Sequence, residues 1–190
     1  MWSPVRAQLS YSVEIGFLYN TILADDYPGD FTSYYNHASG LNLGFNINNQ
    51  HNTSINFQFS YSNFNYDRKS NLFNNFFDKK NTILYNIAVR FRTYLSSNKF
   101  RPFFLIGPGV HYLHWGKVYS DDEIRKIHEL YRPVDFSAPN GDFDSDFYFA
   151  IGGGVELELS EKFDMILDGA LSLSKSYFLL PLTMNLKYKF

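Results

Sequence analysis

The stretch F-L-L-P-L-T-M-N-L-K-Y-K-F runs from Phe178 to Phe190 at the end of the chain and decides the fold. Every second residue counted back from Phe190 is apolar or aromatic, whereas Lys189, Lys187 and Asn185 lie between them. Successive side chains of a β-strand point to opposite faces, so this pattern predicts a strand with one apolar and one polar face. Such a strand suits a wall that separates lipid from a polar interior.

The composition fits one domain that would cross a membrane with strands. The 190 residues carry a formal net charge of −2 and no cysteine, so disulfides and thiolate metal sites are excluded and a nucleic-acid partner is not expected. The 20 Phe and 15 Tyr favour strands and membrane interfaces. No stretch of sequence approaches the ~18 apolar residues of a spanning helix. A mean hydropathy of −0.28 is expected if half of each strand faces a polar lumen.

The same alternation recurs in eight segments. They lie at about residues 8–19, 35–48, 52–66, 81–95, 101–119, 146–159, 163–174 and 178–190. The connections between them read long, short, long, short, long, short, short. A barrel with both termini in the periplasm predicts short turns at the even connections and loops of variable length at the odd ones. We therefore predict an all-β fold, an eight-stranded antiparallel up-and-down transmembrane β-barrel with short periplasmic turns and longer extracellular loops. A soluble lipocalin-like barrel, the main alternative, would need an apolar interior and a polar exterior.

Three places depart from the plain alternation. The apolar phase of the third strand shifts at Phe64 and Tyr66, which predicts a bulge or a departure from the bilayer. Pro108 lies inside the fifth strand, where a missing N–H donor predicts a bulge or a local break. The connection 118–144 has an acidic start followed by apolar residues at helical spacing, which predicts a short amphipathic helix in the third long loop.

The first seven residues are set apart from the barrel. Val5-Arg6-Ala7 resembles the end of a signal peptide, with Val5 and Ala7 at the −3 and −1 positions. The apolar segment that would precede it is absent from the sequence. We interpret residues 1–7 as a signal-peptide remnant or a disordered tail, and residues 8–190 as a single outer-membrane β-barrel domain.

The polar faces of the predicted strands carry most of the charge. The predicted lumen charge network consists of Glu14, Arg90, Arg92, Glu156, Glu158, Asp164, Asp168, Lys187 and Lys189. An eight-stranded barrel has an interior about wide enough for side chains to fill, and unpaired buried charges are costly. We therefore expect the two lysines to meet the two aspartates, and the arginines to reach the glutamates across the lumen. The alternative interpretation is a narrow charged pathway.

Residues with catalytic or metal-binding chemistry form no coherent set in the sequence. His111 and His114 are three residues apart, which places them on opposite faces of a strand. The contiguous acids Asp121, Asp122 and Glu123 are typical of a solvated loop. We predict no catalytic, cofactor or metal site, and a protein that is not an enzyme.

The end of the chain resembles a known signal. Phe190, with Tyr188 and Leu186 before it, is similar to the insertion signal of bacterial outer-membrane β-barrels. That resemblance implies recognition by the barrel assembly machinery during insertion. It also implies that the mature protein is surrounded by outer-membrane lipid and lipopolysaccharide.

The fifth strand carries a second resemblance. R-P-F-F-L-I-G-P-G-V-H-Y, from Arg101 to Tyr112, is similar to a strand common in small barrels of the OmpA/OmpX/OmpW-like superfamily, with Gly107 and Gly109 at its small inward positions and Pro108 as a departure. The likeness covers about residues 8–190 at the level of architecture. It implies an integral protein of the outer membrane of a Gram-negative bacterium.

Three functions are compatible with such a barrel. The first is a structural or protein-interaction role, through its extracellular loops or as a subunit of an outer-membrane secretion or assembly complex. Aromatic loop residues suit protein interfaces, and the candidates are Tyr27, Phe31, Phe73, Phe76, Phe77, Tyr131 and Phe136. The second is a small channel for ions or apolar solutes, which needs a continuous lumen. The third is a lipid-modifying barrel enzyme, which needs a Ser/His/acid cluster at the rim. The sequence favours the first.

Overall fold

The computed structural model describes residues 9–25, 37–49, 52–64, 82–114, 143–175 and 177–190. These residues form eight β-strands: β1 Ser10–Asp25, β2 His37–Asn49, β3 Thr53–Phe64, β4 Thr82–Tyr94, β5 Phe100–His114, β6 Phe143–Glu158, β7 Phe163–Ser174 and β8 Tyr177–Lys189. Residues 1–7 and the helix expected within 118–144 lie outside the described residues.

Each strand pairs with its neighbours in the sequence, and β8 pairs back with β1, so the sheet closes into a barrel. All of these pairings are antiparallel, which confirms the predicted eight-stranded architecture. The chain ends and the connections β2–β3, β4–β5 and β6–β7 therefore lie at one end of the barrel, the turn end. The connections 26–36, 65–81 and 115–142 leave from the other end, the loop end. The described residues include no helix that is long and apolar enough to cross a membrane.

The two faces of the wall differ sharply in polarity. On the outer face, Phe17, Phe104 and Ile151 are 65%, 63% and 52% exposed. On the inner face, Asn42 and Asn56 are fully buried. An apolar exterior around a polar interior is the arrangement of a barrel in lipid, and it is the reverse of the lipocalin-like alternative.

Aromatic rings pair on the outer face near both ends of the barrel. Toward the loop end, the rings of Tyr61 and Tyr85 lie 5.6 Å apart on neighbouring strands. Toward the turn end, the ring centroid of Tyr188 lies 5.3 Å from that of Phe163 and 5.4 Å from that of Phe190. Aromatic side chains favour the two membrane–water interfaces, so these rings mark the edges of the lipid-facing band.

The expected irregularities are resolved differently in β3 and β5. The register of β3 with β2 and β4 runs unbroken to Phe64, so there is no bulge as far as this residue, while Tyr66 lies outside the described residues. Phe64 is instead an apolar residue of the lumen face, 2% exposed. Pro108 stays in register with β6, while pairing with β4 stops at 107–108 and resumes without a shift. The local break was predicted correctly and arises because proline has no N–H to donate; there is no bulge.

β1 is longer than the sequence pattern predicted. It continues past Tyr19 to Asp25 because β8 pairs with it as far as Tyr177. The register between β1 and β8 shifts between Ile22 and Ala24, which is the irregularity of this seam.

Candidate functional site

Strand alternation places all nine residues of the predicted charge network on the lumen face. Seven are at most 7% exposed, namely Glu14, Arg90, Arg92, Glu156, Asp164, Asp168 and Lys187. Glu158 and Lys189 are half-buried at the turn end. Charges this far from water need partners, so their pairing is the central question about the lumen.

The first group, the mid-lumen cluster, consists of Glu14, Arg92, Arg90 and Asp168. Arg92 binds Glu14 in a bidentate arrangement, with Nη1 donating to Oε1 at 2.5 Å and Nη2 to Oε2 at 3.1 Å. Asp168 lies 3.5 Å from both Arg90 Nη1 and Arg92 Nη2. Asn46 Nδ2 adds a hydrogen bond to Glu14 at 2.8 Å. The cluster therefore joins β1, β4 and β7, which are not neighbours in the sheet.

The second group, the turn-end cluster, consists of Glu156, Asp164, Arg101, Lys187 and Lys189. Lys187 Nζ lies 3.1 Å from both carboxylate oxygens of Glu156, which also accepts a hydrogen bond from Arg101. Asp164 accepts hydrogen bonds from Arg101 and Lys189, each at 2.9 Å. Lys187 also lies 4.0 Å from Asp164. Two buried carboxylates are thus surrounded by three cations.

Two members of the turn-end environment were missed by the sequence analysis. Arg101 shares the parity of Gly107 and Gly109, the small inward positions of β5, and that parity was the signal that could have found it. Tyr94 Oη donates to Glu156 Oε2 at 2.7 Å. Its position at the end of β4 looked like a strand boundary, where alternation gives little information.

Some of the ion-pair partners differ from those that the sequence analysis predicted. Lys187 and Lys189 reach Asp164, but Asp168 lies against the arginines because it is two lumen-facing positions farther from the turn end, beyond Ile166. Glu156 pairs with Arg101 on the neighbouring β5 and with Lys187 on β8, two strands away, rather than with Arg90 or Arg92. No ion pair among the described residues includes Glu158.

A layer of asparagine and glutamine side chains on β2, β3 and β8, the amide layer, lies next to the mid-lumen cluster. Asn56 Nδ2 donates to Asn46 Oδ1 at 2.9 Å, and Gln58 Nε2 donates to Asn42 Oδ1 at 2.5 Å. Asn42 in turn donates to Asn185 Oδ1 at 3.0 Å. These bonds connect β3, β2 and β8, so uncharged polar side chains also link the wall through the interior.

Apolar and aromatic side chains share the rest of the lumen with neutral polar residues such as Asn20, Ser62 and Asn86. Phe103, Leu105 and Tyr148 belong to one buried cluster. His111 stacks on Tyr148 with ring centroids 3.9 Å apart. At the loop end, a buried apolar layer consists of Leu18, Ile22, Phe64, Leu84, Leu113 and Leu179. The ion-pair clusters thus lie toward the turn end, and the loop end contains apolar residues together with the buried polar residues Asn20 and Ser62.

The described residues present no evident metal centre. No group of three or more His, Cys, Asp or Glu in the described ranges could hold a metal ion. His111 faces the lumen and His114 the outer face, as their spacing implied. In the lumen, carboxylates and cations neutralise one another, and their ion pairs and hydrogen bonds connect strands of the wall.

The other predicted sites divide between described and undescribed residues. The seven loop aromatics, Tyr27, Phe31, Phe73, Phe76, Phe77, Tyr131 and Phe136, lie outside the described residues. At the C-terminus, Phe190 is 74% and Leu186 45% exposed on the outer face. Their role as an insertion signal stays a prediction.

Solved structures with the same fold are bacterial outer-membrane proteins. Ail, the attachment invasion locus protein of Yersinia pestis, is 13% identical with a TM-score of 0.59, over 95% of this chain and 98% of that chain. OprG from Pseudomonas aeruginosa is 9% identical with a TM-score of 0.64, over 95% of each chain. Neisserial surface protein A is 9% identical with a TM-score of 0.55, over 97% of this chain and 99% of that chain. At these identities the likeness shows the fold alone.

The sequence itself gives the family. No curated protein matches the chain. A family model described as the outer membrane protein beta-barrel domain matches residues 4–181, nearly the whole chain. Together with the closed eight-stranded sheet, the apolar exterior and the polar lumen, this match identifies the chain as a member of the outer membrane protein β-barrel family and an integral protein of the bacterial outer membrane.

Proposed function

We propose that the protein is a non-conducting, non-enzymatic barrel that serves a structural or protein-interaction role in the outer membrane. The observation that carries this proposal is the filling of the lumen. The side chains of Arg92, Glu14, Glu156 and Asp164 are 0% exposed. Charged groups in a conducting pore would face water, whereas these face one another.

The order of the layers supports the same conclusion. An ion entering from the turn end would meet the paired charges of the turn-end cluster and then those of the mid-lumen cluster. Beyond them lies the loop-end layer of apolar side chains, among which the buried polar residues Asn20 and Ser62 are hydrogen-bonded to each other. Breaking buried pairs and dehydrating an ion are both costly, so the arrangement favours a closed interior.

The interaction role is proposed for the long loops. Their aromatic residues, Tyr27, Phe31, Phe73, Phe76, Phe77, Tyr131 and Phe136, have the chemistry of protein interfaces. We propose that they bind another outer-membrane protein, within a secretion or assembly complex. The C-terminal residues Leu186, Tyr188 and Phe190 are proposed to act earlier, when the barrel assembly machinery inserts the chain.

Co-purification tests the interaction role. The protein is extracted from native outer membranes in mild detergent, and the proteins that accompany it are identified and quantified by mass spectrometry. We expect one stoichiometric membrane partner, which is lost when Phe73, Phe76 and Phe77 are all replaced by Ser. A matched variant at the turn end, Lys99→Ser with Lys162→Ser, should retain it. Recovery of a lone, folded monomer from every preparation contradicts the interaction role.

Planar-bilayer recording tests the closed lumen independently. The purified barrel should give no discrete current steps at moderate voltage in potassium chloride. Regular steps from correctly folded protein would instead support the small-channel function. A lipid-hydrolysis assay on the same sample addresses the enzyme alternative, and we expect no product above that of heat-unfolded protein.

A further inference from the structure

Three buried polar atoms without hydrogen-bond partners belong to neighbouring residues on the lumen face, where β3 pairs with β4. They are Asn56 Oδ1, Gln58 Oε1 and Arg90 Nε, none of which has a hydrogen-bond partner among the described residues. The three residues are 0%, 3% and 1% exposed. Buried polar groups are nearly always hydrogen-bonded, so three such atoms in one place point to a bound molecule.

The strand register puts these atoms on one side of the lumen. Asn56 is directly opposite Arg90 across the β3–β4 pair, where Cβ atoms are typically about 4.5–5.5 Å apart. The amide nitrogens of Asn56 and Gln58 both point toward β2, where they bind Asn46 and Asn42. Because an amide oxygen lies on the other side of its carbon, both oxygens are directed toward β4.

The residue opposite Gln58 has a short side chain. That residue is Ala88, whose methyl group is the smallest side chain on the lumen face of β4. Gln58 Oε1 therefore faces a short side chain on β4, with Arg90 as the next lumen-facing residue on that strand.

The chemistry of the three atoms identifies the molecule. Two amide oxygens can each accept one hydrogen bond, and the Arg90 Nε–H can donate one. A water molecule donates twice and accepts at least once, and buried waters typically make about three hydrogen bonds. A cation would be repelled by the permanently charged guanidinium, and an anion by the two carbonyl oxygens.

We propose that one buried water molecule is bound by Asn56 Oδ1, Gln58 Oε1 and Arg90 Nε. This water links the amide layer to the mid-lumen cluster. It also fixes the plane of the Arg90 guanidinium, whose Nη1 faces Asp168. The site does not depend on the proposed function, because a closed or a conducting barrel could both contain it.

Nuclear magnetic resonance can detect this water directly. Nitrogen-15-labelled protein in lipid nanodiscs gives a resolved Nε–H signal for each buried arginine, and the Arg90→Lys variant assigns the signal of Arg90. We expect a rotating-frame Overhauser cross-peak between the Arg90 Nε–H proton and water. Its sign should be that of a dipolar contact with a water molecule that stays bound for a long time. An Arg90 Nε–H signal without that cross-peak overturns the proposal, because the atom would then be dry or bound directly to an amide oxygen.

Two variants separate a bound water from other sources of the cross-peak. Ala88→Val fills the space beside Gln58 and should abolish the cross-peak, whereas Ser60→Ala, at the next lumen-facing position of β3, should retain it. Tyr148→Phe should also retain it, and its loss there would show that magnetisation is relayed through the Tyr148 hydroxyl, which overturns the proposal. A cross-peak that persists in folded Ala88→Val does the same. If Ala88→Val does not fold, the wild-type and Tyr148→Phe spectra decide.

Discussion

Replacing Arg92 with Met should destabilise the barrel strongly. Glu14 would lose both hydrogen bonds of the bidentate pair and keep only the one from Asn46, while its side chain stays 0% exposed. Asp168 would keep Arg90 as its one remaining cation in the mid-lumen cluster. Removing one partner of a buried ion pair costs about 3–5 kcal/mol. This corresponds to roughly a hundred- to several-thousand-fold loss in the folding equilibrium constant.

The assay is a urea titration of the protein in lipid vesicles. The folded fraction is measured by gel electrophoresis of unheated samples, in which the folded barrel migrates faster than the unfolded chain. Unfolding and refolding titrations are compared to check that the transition is reversible. Glu14→Gln combined with Arg92→Met should recover most of the lost stability, because no unpaired buried charge remains. Lys99→Met, in an exposed turn, should stay within about 0.5 kcal/mol of wild type. An Arg92→Met midpoint equal to that of wild type would refute the idea that the pair is buried and braces the lumen.

Three further substitutions probe other parts of the barrel in the same titration. Tyr94→Phe removes the 2.7 Å hydrogen bond to Glu156 and should cost about 1.5 kcal/mol, and no measurable change would mean that the hydroxyl is satisfied by water. Gly109→Leu should cost about 1–3 kcal/mol because even a Cβ atom would overlap the Tyr148 ring, and an unchanged midpoint would place that ring elsewhere. Ile87→Lys puts a charge at the middle of the lipid face of β4 and should cost about 2–4 kcal/mol, whereas a neutral effect would argue that this face is not in lipid.

Alternation along the chain was sufficient to predict the strands and their faces. A period of two is a local property, so Leu186 and Lys187 were assigned to opposite faces of β8 correctly without knowing any partner strand. The same reasoning failed at Phe64, because an apolar residue facing a polar lumen looks like a shift of phase. It also ended β1 too early, since the stretch after Tyr19 is held in the sheet by β8.

The partners within the charge network could not be derived from the faces alone. Which carboxylate meets which cation depends on strand stagger and on side-chain reach across the lumen, and neither is written in the spacing of the residues. Asp168 illustrates this, because its partner on β8 is Thr183, whereas its cations, Arg90 and Arg92, come from β4. Arg101 was overlooked because it stands next to a turn, where a charge is normally solvated.

The mid-lumen ion pairs connect residues that are far apart in the chain. Arg92 and Glu14 are separated by 78 positions, as are Arg90 and Asp168. Neighbouring hairpins can form without these contacts, whereas the contacts need strands from both halves of the chain to be in place. Interactions that are absent from the transition state act mainly on the unfolding rate. We therefore expect the network to govern how long an inserted barrel persists in the membrane, and to have little influence on how fast it assembles.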